Sequence, residues 1–167
     1  AECKAMKDMD KFDCYPEDGA NEQKCNSRGC CWLATKLKRN HDRDIRVPLN
    51  TPYCFYPASY PTYKYVNASE TAFGSIIFLK RNYQSPYPND AETLKMVVKY
   101  ETQDRLHIKI TNPLQNRYES PYPEVPIVDK ADKNLNYEFI MDERKTGFKI
   151  LRKSDNTTIF DTTGLRN

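Results

Sequence analysis

The chain has 167 residues, 26 basic and 23 acidic, with two histidines and a formal net charge of +3. That length suits one ordinary domain or two small ones and falls short of the roughly 250 residues of a β/α-barrel enzyme. The charge is too slight to argue for nucleic acid, and apolar runs such as Ile76–Leu79 are far below the ~20 residues that cross a bilayer.

All six cysteines (Cys3, Cys14, Cys25, Cys30, Cys31 and Cys54) lie in the first 54 residues. An even count at that density reads as a disulfide framework made in an oxidising compartment. A zinc site is the rival. It is disfavoured because vicinal Cys30 and Cys31 cannot easily supply two tetrahedral ligands, and no paired Cys/His spacing accompanies them. Neither a metal nor a cofactor is expected. The sequons at Asn67 and Asn156 agree with passage through the secretory pathway. No signal peptide is expected in this sequence, and the N-terminal Ala-Glu-Cys reads as the start of a mature form or of a trimmed piece.

The cysteine-rich region shows little helical or strand periodicity, and residues 16–22 (PEDGANE) carry turn chemistry. A region this small needs bridges to restrict its unfolded state. Residues 36–46 (KLKRNHDRDIR) hold five basic and two acidic side chains, an excess equal to that of the whole chain. This stretch is read as a solvated loop, with docking to an acidic glycan or membrane surface as the alternative. Residues 57–63 (PASYPTY) form a short, stiff connector.

Beyond it the pattern alternates. In 93–100, Leu94, Met96, Val98 and Tyr100 share one face; in 105–111, Leu106, Ile108 and Ile110 do so, with Arg105, His107 and Lys109 opposite. Shorter alternating runs lie at 137–141, 148–152 and 158–161, with turns expected at 101–104 and 154–156. Residues 112–135 carry four prolines and read as a long irregular connection. The fold expected is mainly β: a disulfide-rich domain over 1–57, then an antiparallel β-sandwich over 58–167.

The spacing Cys3-x10-Cys14-x10-Cys25-x4-Cys30-Cys31-x22-Cys54, with Asp13 before the second cysteine and Arg28-Gly29 and Trp32 flanking the cysteine pair, resembles a trefoil (P-type) domain. The departure is the last loop, about twice the usual length. Among fifteen connectivities open to six cysteines, the resemblance implies Cys3–Cys31, Cys14–Cys30 and Cys25–Cys54. Residues 53–63, 100–110, 116–121 and 160–163 resemble, in the same order, the N-terminal part of animal glycoside hydrolase family 31 α-glucosidases. That implies a trefoil followed by a galactose-mutarotase-like N-terminal sandwich, with the catalytic barrel beyond this chain.

Retaining glycoside hydrolysis needs two carboxyl groups about 5 Å apart across the sugar, and the family draws both from the barrel. No catalytic residue is therefore assigned here. Asp42, Asp44, Asp129 and Asp132 read as loop charges, and His41 and His107 have no evident partner. The trefoil resemblance implies a carbohydrate site at Asp13 and Tyr53: a carboxylate accepts hydroxyl hydrogen bonds while a ring stacks on a pyranose. The structural alternative is that Asp13 caps a turn, Tyr53 packs on a bridge and Trp32 is core. Three readings follow: a non-catalytic part of an acid α-glucosidase-like hydrolase, a secreted lectin-like module for glycoprotein glycans, or a protein that self-associates through sheet edges.

Overall fold

The computed structural model describes residues 2–35, 50–121, 128, 130–144 and 146–163. The basic stretch 36–46, with His41, Asp42 and Asp44, and also Asp129, lies outside the described residues. The chain divides into two units, one of residues 1–60 with 85–89, the other of residues 61–84 with 90–164.

In the first unit, helix α1 (Glu2–Ala5) and a 3-10 turn (Asp8–Asp10) precede helix α2 (Glu22–Ser27). Asn21 caps α2, its side chain accepting the Lys24 N–H at 2.9 Å. The helix ends where Gly29 turns left-handed at φ +75°, so that the Gly29 N–H reaches the Asn26 carbonyl at 3.0 Å and the Cys30 N–H reaches Cys25 at 3.3 Å. This reversal leads through Cys30 into strand β1 (Cys31–Trp32), which pairs antiparallel with β2 (Cys54–Phe55). On the other side of β2, Asp13 bridges to Phe55 and the Cys14 N–H donates to the Cys54 carbonyl at 3.2 Å.

Three bridges close this unit: Cys3–Cys31, Cys14–Cys30 and Cys25–Cys54. They are the pairs that the trefoil resemblance implies. Buried Cys14, Cys25, Cys30 and Cys54 make the core, with Tyr15, Trp32, Tyr56 and Tyr60 packed around it. Phe55 is fully buried. Few apolar side chains are available, so sulfur and aromatic rings do the packing. Ser85–Asn89 joins this unit because Tyr87 donates its hydroxyl to the Asp13 carbonyl at 2.8 Å and sets its ring 5.7 Å from Phe12.

The second unit holds two antiparallel sheets. One runs in the order β3 (Tyr63–Thr71), β4 (Gly74–Arg81), β5 (Thr93–Thr102), β6 (Arg105–Thr111). The other runs β7 (Tyr137–Asp142), β8 (Gly147–Arg152), β9 (Thr158–Asp161). Period-two alternation turns Ile77, Leu79, Met96 and Val98 inward, where Phe139, Met141 and Phe148 of the second sheet meet them. Tyr137 ties the sheets together: its hydroxyl donates to the carbonyls of Arg105 (2.9 Å) and Thr102 (3.3 Å). The hairpins at 101–104 and 154–156 fall where the sequence places them.

Ile110 departs from expectation. It lies on the apolar row of β6, yet it is 50% exposed, because it sits near the end of an outermost strand with no further strand beside it among the described residues. The β3–β4 hairpin is not evident in the sequence. It turns at Ala72 and Phe73, and β4 opens on Gly74, whose φ of +145° and contact with the Val98 carbonyl leave no room for a side chain.

Candidate functional site

Asp13 and Tyr53 both lie against β2. Asp13 is half-buried, and one carboxylate oxygen accepts the Tyr15 N–H at 2.8 Å, an Asx turn that carries Cys14 into the core. The Tyr53 carbonyl accepts the Leu33 N–H at 2.8 Å, extending the β1–β2 ladder. Its ring is 48% exposed and meets the edge of Trp32 at 6.1 Å and 82°. Trp32 itself packs on the cysteine core. The first unit therefore presents a partly engaged carboxylate on a neighbour of β2 and a half-exposed tyrosine at the residue that leads into β2. Such groups can accept sugar hydroxyls and stack on a pyranose, but both also have structural work.

Sequence reasoning missed the ionic framework of this unit. Arg28 forms a fork with Glu17 at 2.9 and 2.8 Å, donates to the Cys14 carbonyl at 3.1 Å and lies 3.9 Å over the Tyr15 ring. Its hydrogen bonds hold the Glu17 carboxyl below the usual carboxylate range. Lys11 is buried, paired with Asp8 at 2.7 Å, and donates to the Leu33 carbonyl at 3.1 Å. Apart from the local Asp8–Lys11 pair, these partners come from separate segments, so no local spacing announces them.

In the second unit His107 has a partner that the sequence did not reveal. Its Nδ1 lies 3.2 Å from one oxygen of Glu101, whose other oxygen accepts Arg105 Nε at 2.6 Å. The cluster spans a hairpin and forms no nucleophile–base pair. Asp132 accepts the Asn134 N–H at 2.9 Å within its loop. Asn67 is exposed on β3, where the register with β4 shifts between Tyr65 and Asn67. Asn156 is exposed in the β8–β9 turn at φ +56°, a left-handed position that asparagine tolerates. All six cysteines are bridged, and among the described residues no group of three or more metal-ligating side chains converges. Among the same residues, no helix is long and apolar enough to cross a membrane.

Comparison with known proteins agrees with this arrangement. Residues 3–57 match the family model of the trefoil (P-type) domain. Over 153 residues, 92% of this chain, the protein is 33% identical to "Lysosomal alpha-glucosidase" of Rattus norvegicus, covering 15% of that relative. Over 162 residues, 91% of this chain, it is 32% identical to "Sucrase-isomaltase, intestinal" of Homo sapiens, covering 8% of it. The chain thus spans about one-sixth or less of the length of these curated relatives. Residues 3–57 are a trefoil (P-type) domain, and the chain as a whole matches the N-terminal region of glycoside hydrolase family 31 α-glucosidases, of which it covers only part.

Proposed function

We propose that this chain is a non-catalytic, N-terminal portion of an acid α-glucosidase-like glycoside hydrolase, divided near residues 57 and 58, that supports or positions a carbohydrate-active domain. The observation that carries the reading is the continuity of the match, which extends over 92% of the chain rather than ending with the trefoil at residue 57. The ion pairs favour it: Glu17, Asp90 and Glu101, for example, are held by Arg28, Arg81 and Arg105 rather than facing another carboxylate. Bridged cysteines and two exposed sequons favour passage through the secretory pathway, with extracellular or lysosomal residence. Its partners on this reading are a glycoside hydrolase domain and carbohydrate.

The half-exposed ring of Tyr53 favours a second reading, a lectin-like module that binds glycans through Asp13 and Tyr53. Sequencing the native transcript past the codon for Asn167 separates the two. The first reading expects an open frame encoding a β/α-barrel. A stop codon directly after Asn167 would overturn it and leave the lectin reading, which binding to a glycan array and its loss in Tyr53→Ala would then test.

A further inference from the structure

Period-two alternation turns Ile77, Leu79, Met96 and Val98 into the core, so the residues between them face outward from β4 and β5. Cross-strand register sets those outward residues in rows. Lys80 stands beside Thr93, and Phe78 beside Lys95 and then Thr111 of β6. Ile76 stands beside Val97 and then Lys109, and Gly74 beside Lys99 and then His107. Two diagonal files result. Phe78 and Val97 form an apolar one, with Ile76 next to it and all three only partly buried. Lys80, Lys95 and Lys109 form a cationic one, shifting one strand and one row at each step, about 8 Å by strand spacing and rise. None of the residues in these rows is acidic. Two carboxylates reach the lysines from outside them: Glu92 lies 3.5 Å from Lys80, and Glu119 lies 2.6 Å from Lys109. Lys95 makes no ion pair among the described residues, and Lys99 sets its ammonium 5.7 Å from the centre of the Phe73 ring. Glu101, beyond the last row, is held by Arg105 and His107. Four ammonium groups against two carboxylates leave an apolar-centred face with a surplus of positive charge, which fits an anionic partner.

We propose that the outer face of β4–β6 binds a linear acidic polysaccharide, one bearing sulfate or uronate groups, along the Lys80–Lys95–Lys109 diagonal. A peptide that recognises a sheet adds to a strand edge through backbone groups, and the middle of this face offers none. A sugar chain uses what the face does offer. Pyranose C–H groups cover Phe78 and Val97, hydroxyls meet Thr93 and Thr111, and the anionic groups meet the lysines. Lysine suits this role because its ammonium is a compact point charge that serves sulfate and carboxylate alike. The site lies within the second unit and uses neither Asp13 nor Tyr53. It is independent of the hydrolase reading, so either can fail while the other stands. Asn67 pairs with Phe78 from the outermost strand β3, so binding is measured on protein without N-linked sugar.

The test is calorimetric titration of oxidised, unglycosylated residues 1–167 with size-defined heparin oligosaccharides. Dextran, polyglutamate and phosphatidylserine vesicles serve as the neutral sugar, acidic peptide and anionic membrane probes. Heparin is expected to bind, more weakly as salt is raised, and dextran is not. The triple variant Lys80→Gln/Lys95→Gln/Lys109→Gln is expected to lose at least about ten-fold in affinity, and Lys95→Gln alone about three-fold. Lys38→Gln/Arg39→Gln, in the basic stretch 36–46, is expected to change it by less than about two-fold. Circular dichroism confirms that each variant keeps the wild-type fold, and Lys95→Gln alone carries the test if the triple variant does not. The reverse ranking of the two sets of variants would overturn the proposal, because it moves the contact off the sheet. Equal or tighter binding of polyglutamate would overturn it in favour of an acidic peptide, and of the vesicles in favour of a membrane surface. Heparin failing to bind at low salt would overturn it outright.

Discussion

The N–H of Cys30 donates to the carbonyl of Cys25 at 3.3 Å across the left-handed Gly29. One backbone reversal thus sets three bridge partners at once, since Cys25, Cys30 and Cys31 pair with Cys54, Cys14 and Cys3. A Cβ on Gly29 would meet nothing closer than Tyr60 at 3.8 Å, so the requirement for glycine is conformational. Gly29→Ala is expected to cost about 1–2 kcal/mol in denaturant unfolding and to increase non-native pairing during oxidative refolding. An unchanged midpoint and clean refolding would show that the turn does not organise the bridges.

Gly74 poses a steric requirement instead. A Cβ there would lie 2.4 Å from the Val98 carbonyl oxygen, a backbone atom in the central strand β5. Gly74→Ala is expected to cost at least about 3 kcal/mol and to weaken amide protection first along β4 and β5. Hydrogen exchange on the variant checks both the magnitude and the location.

Tyr137 makes alkaline stability readable. Burial, then the nearby Tyr100, Asp132, Glu101 and Asp104, push its phenol from 10.0 up to about 12. Folding favours the protonated phenol, so this contribution is complete below pH 10 and is lost as the pH rises towards 12. Tyr137→Phe leaves two carbonyls without this donor and is expected to cost about 1–2 kcal/mol near neutrality. It is also expected to flatten stability between pH 10 and 12. Denaturant midpoints across that range test the sign.

Glu101 makes the opposite prediction in acid. Burial alone would raise its carboxyl, but hydrogen bonds from His107 and Arg105 outweigh that and hold it below its ordinary 4.5. The folded state therefore favours the carboxylate. Its contribution is present above pH 4.5 and is lost as the pH falls through the lower folded value. Glu101→Gln is expected to show a shallower loss of stability below pH 4.5 than wild type in acid titrations followed by circular dichroism.

Strands β5 to β8 were legible because apolar and polar residues alternate along their sequences, as at Leu94, Met96 and Val98 in β5, whereas β9 is a short apolar run that lies exposed at all four positions. The β3–β4 hairpin was hidden for two physical reasons. β3 lies outermost and is mostly exposed, with its register broken between Tyr65 and Asn67; β4 is central, so Ile76 and Phe78 are partly buried opposite Ile77 and Leu79. Helix α2 is six residues long, too short for apolar periodicity, though its Asn21 cap and Gly29 stop are visible in retrospect. The contacts of Lys11 with the Leu33 carbonyl, of Arg28 with Glu17 and of Tyr87 with the Asp13 carbonyl join distant segments, which spacing alone does not encode. At the candidate site, the residue types at 13 and 53 were readable, whereas the Asx turn at Tyr15 and the edge contact with Trp32 required coordinates.

The most direct measurement is the hydrolysis of maltose and an aryl α-glucoside by purified, fully oxidised residues 1–167. The account predicts no release of glucose or aglycone above the protein-free control at any pH from acid to neutral. Turnover that co-purifies with the folded chain and survives removal of contaminating glycosidases would contradict it.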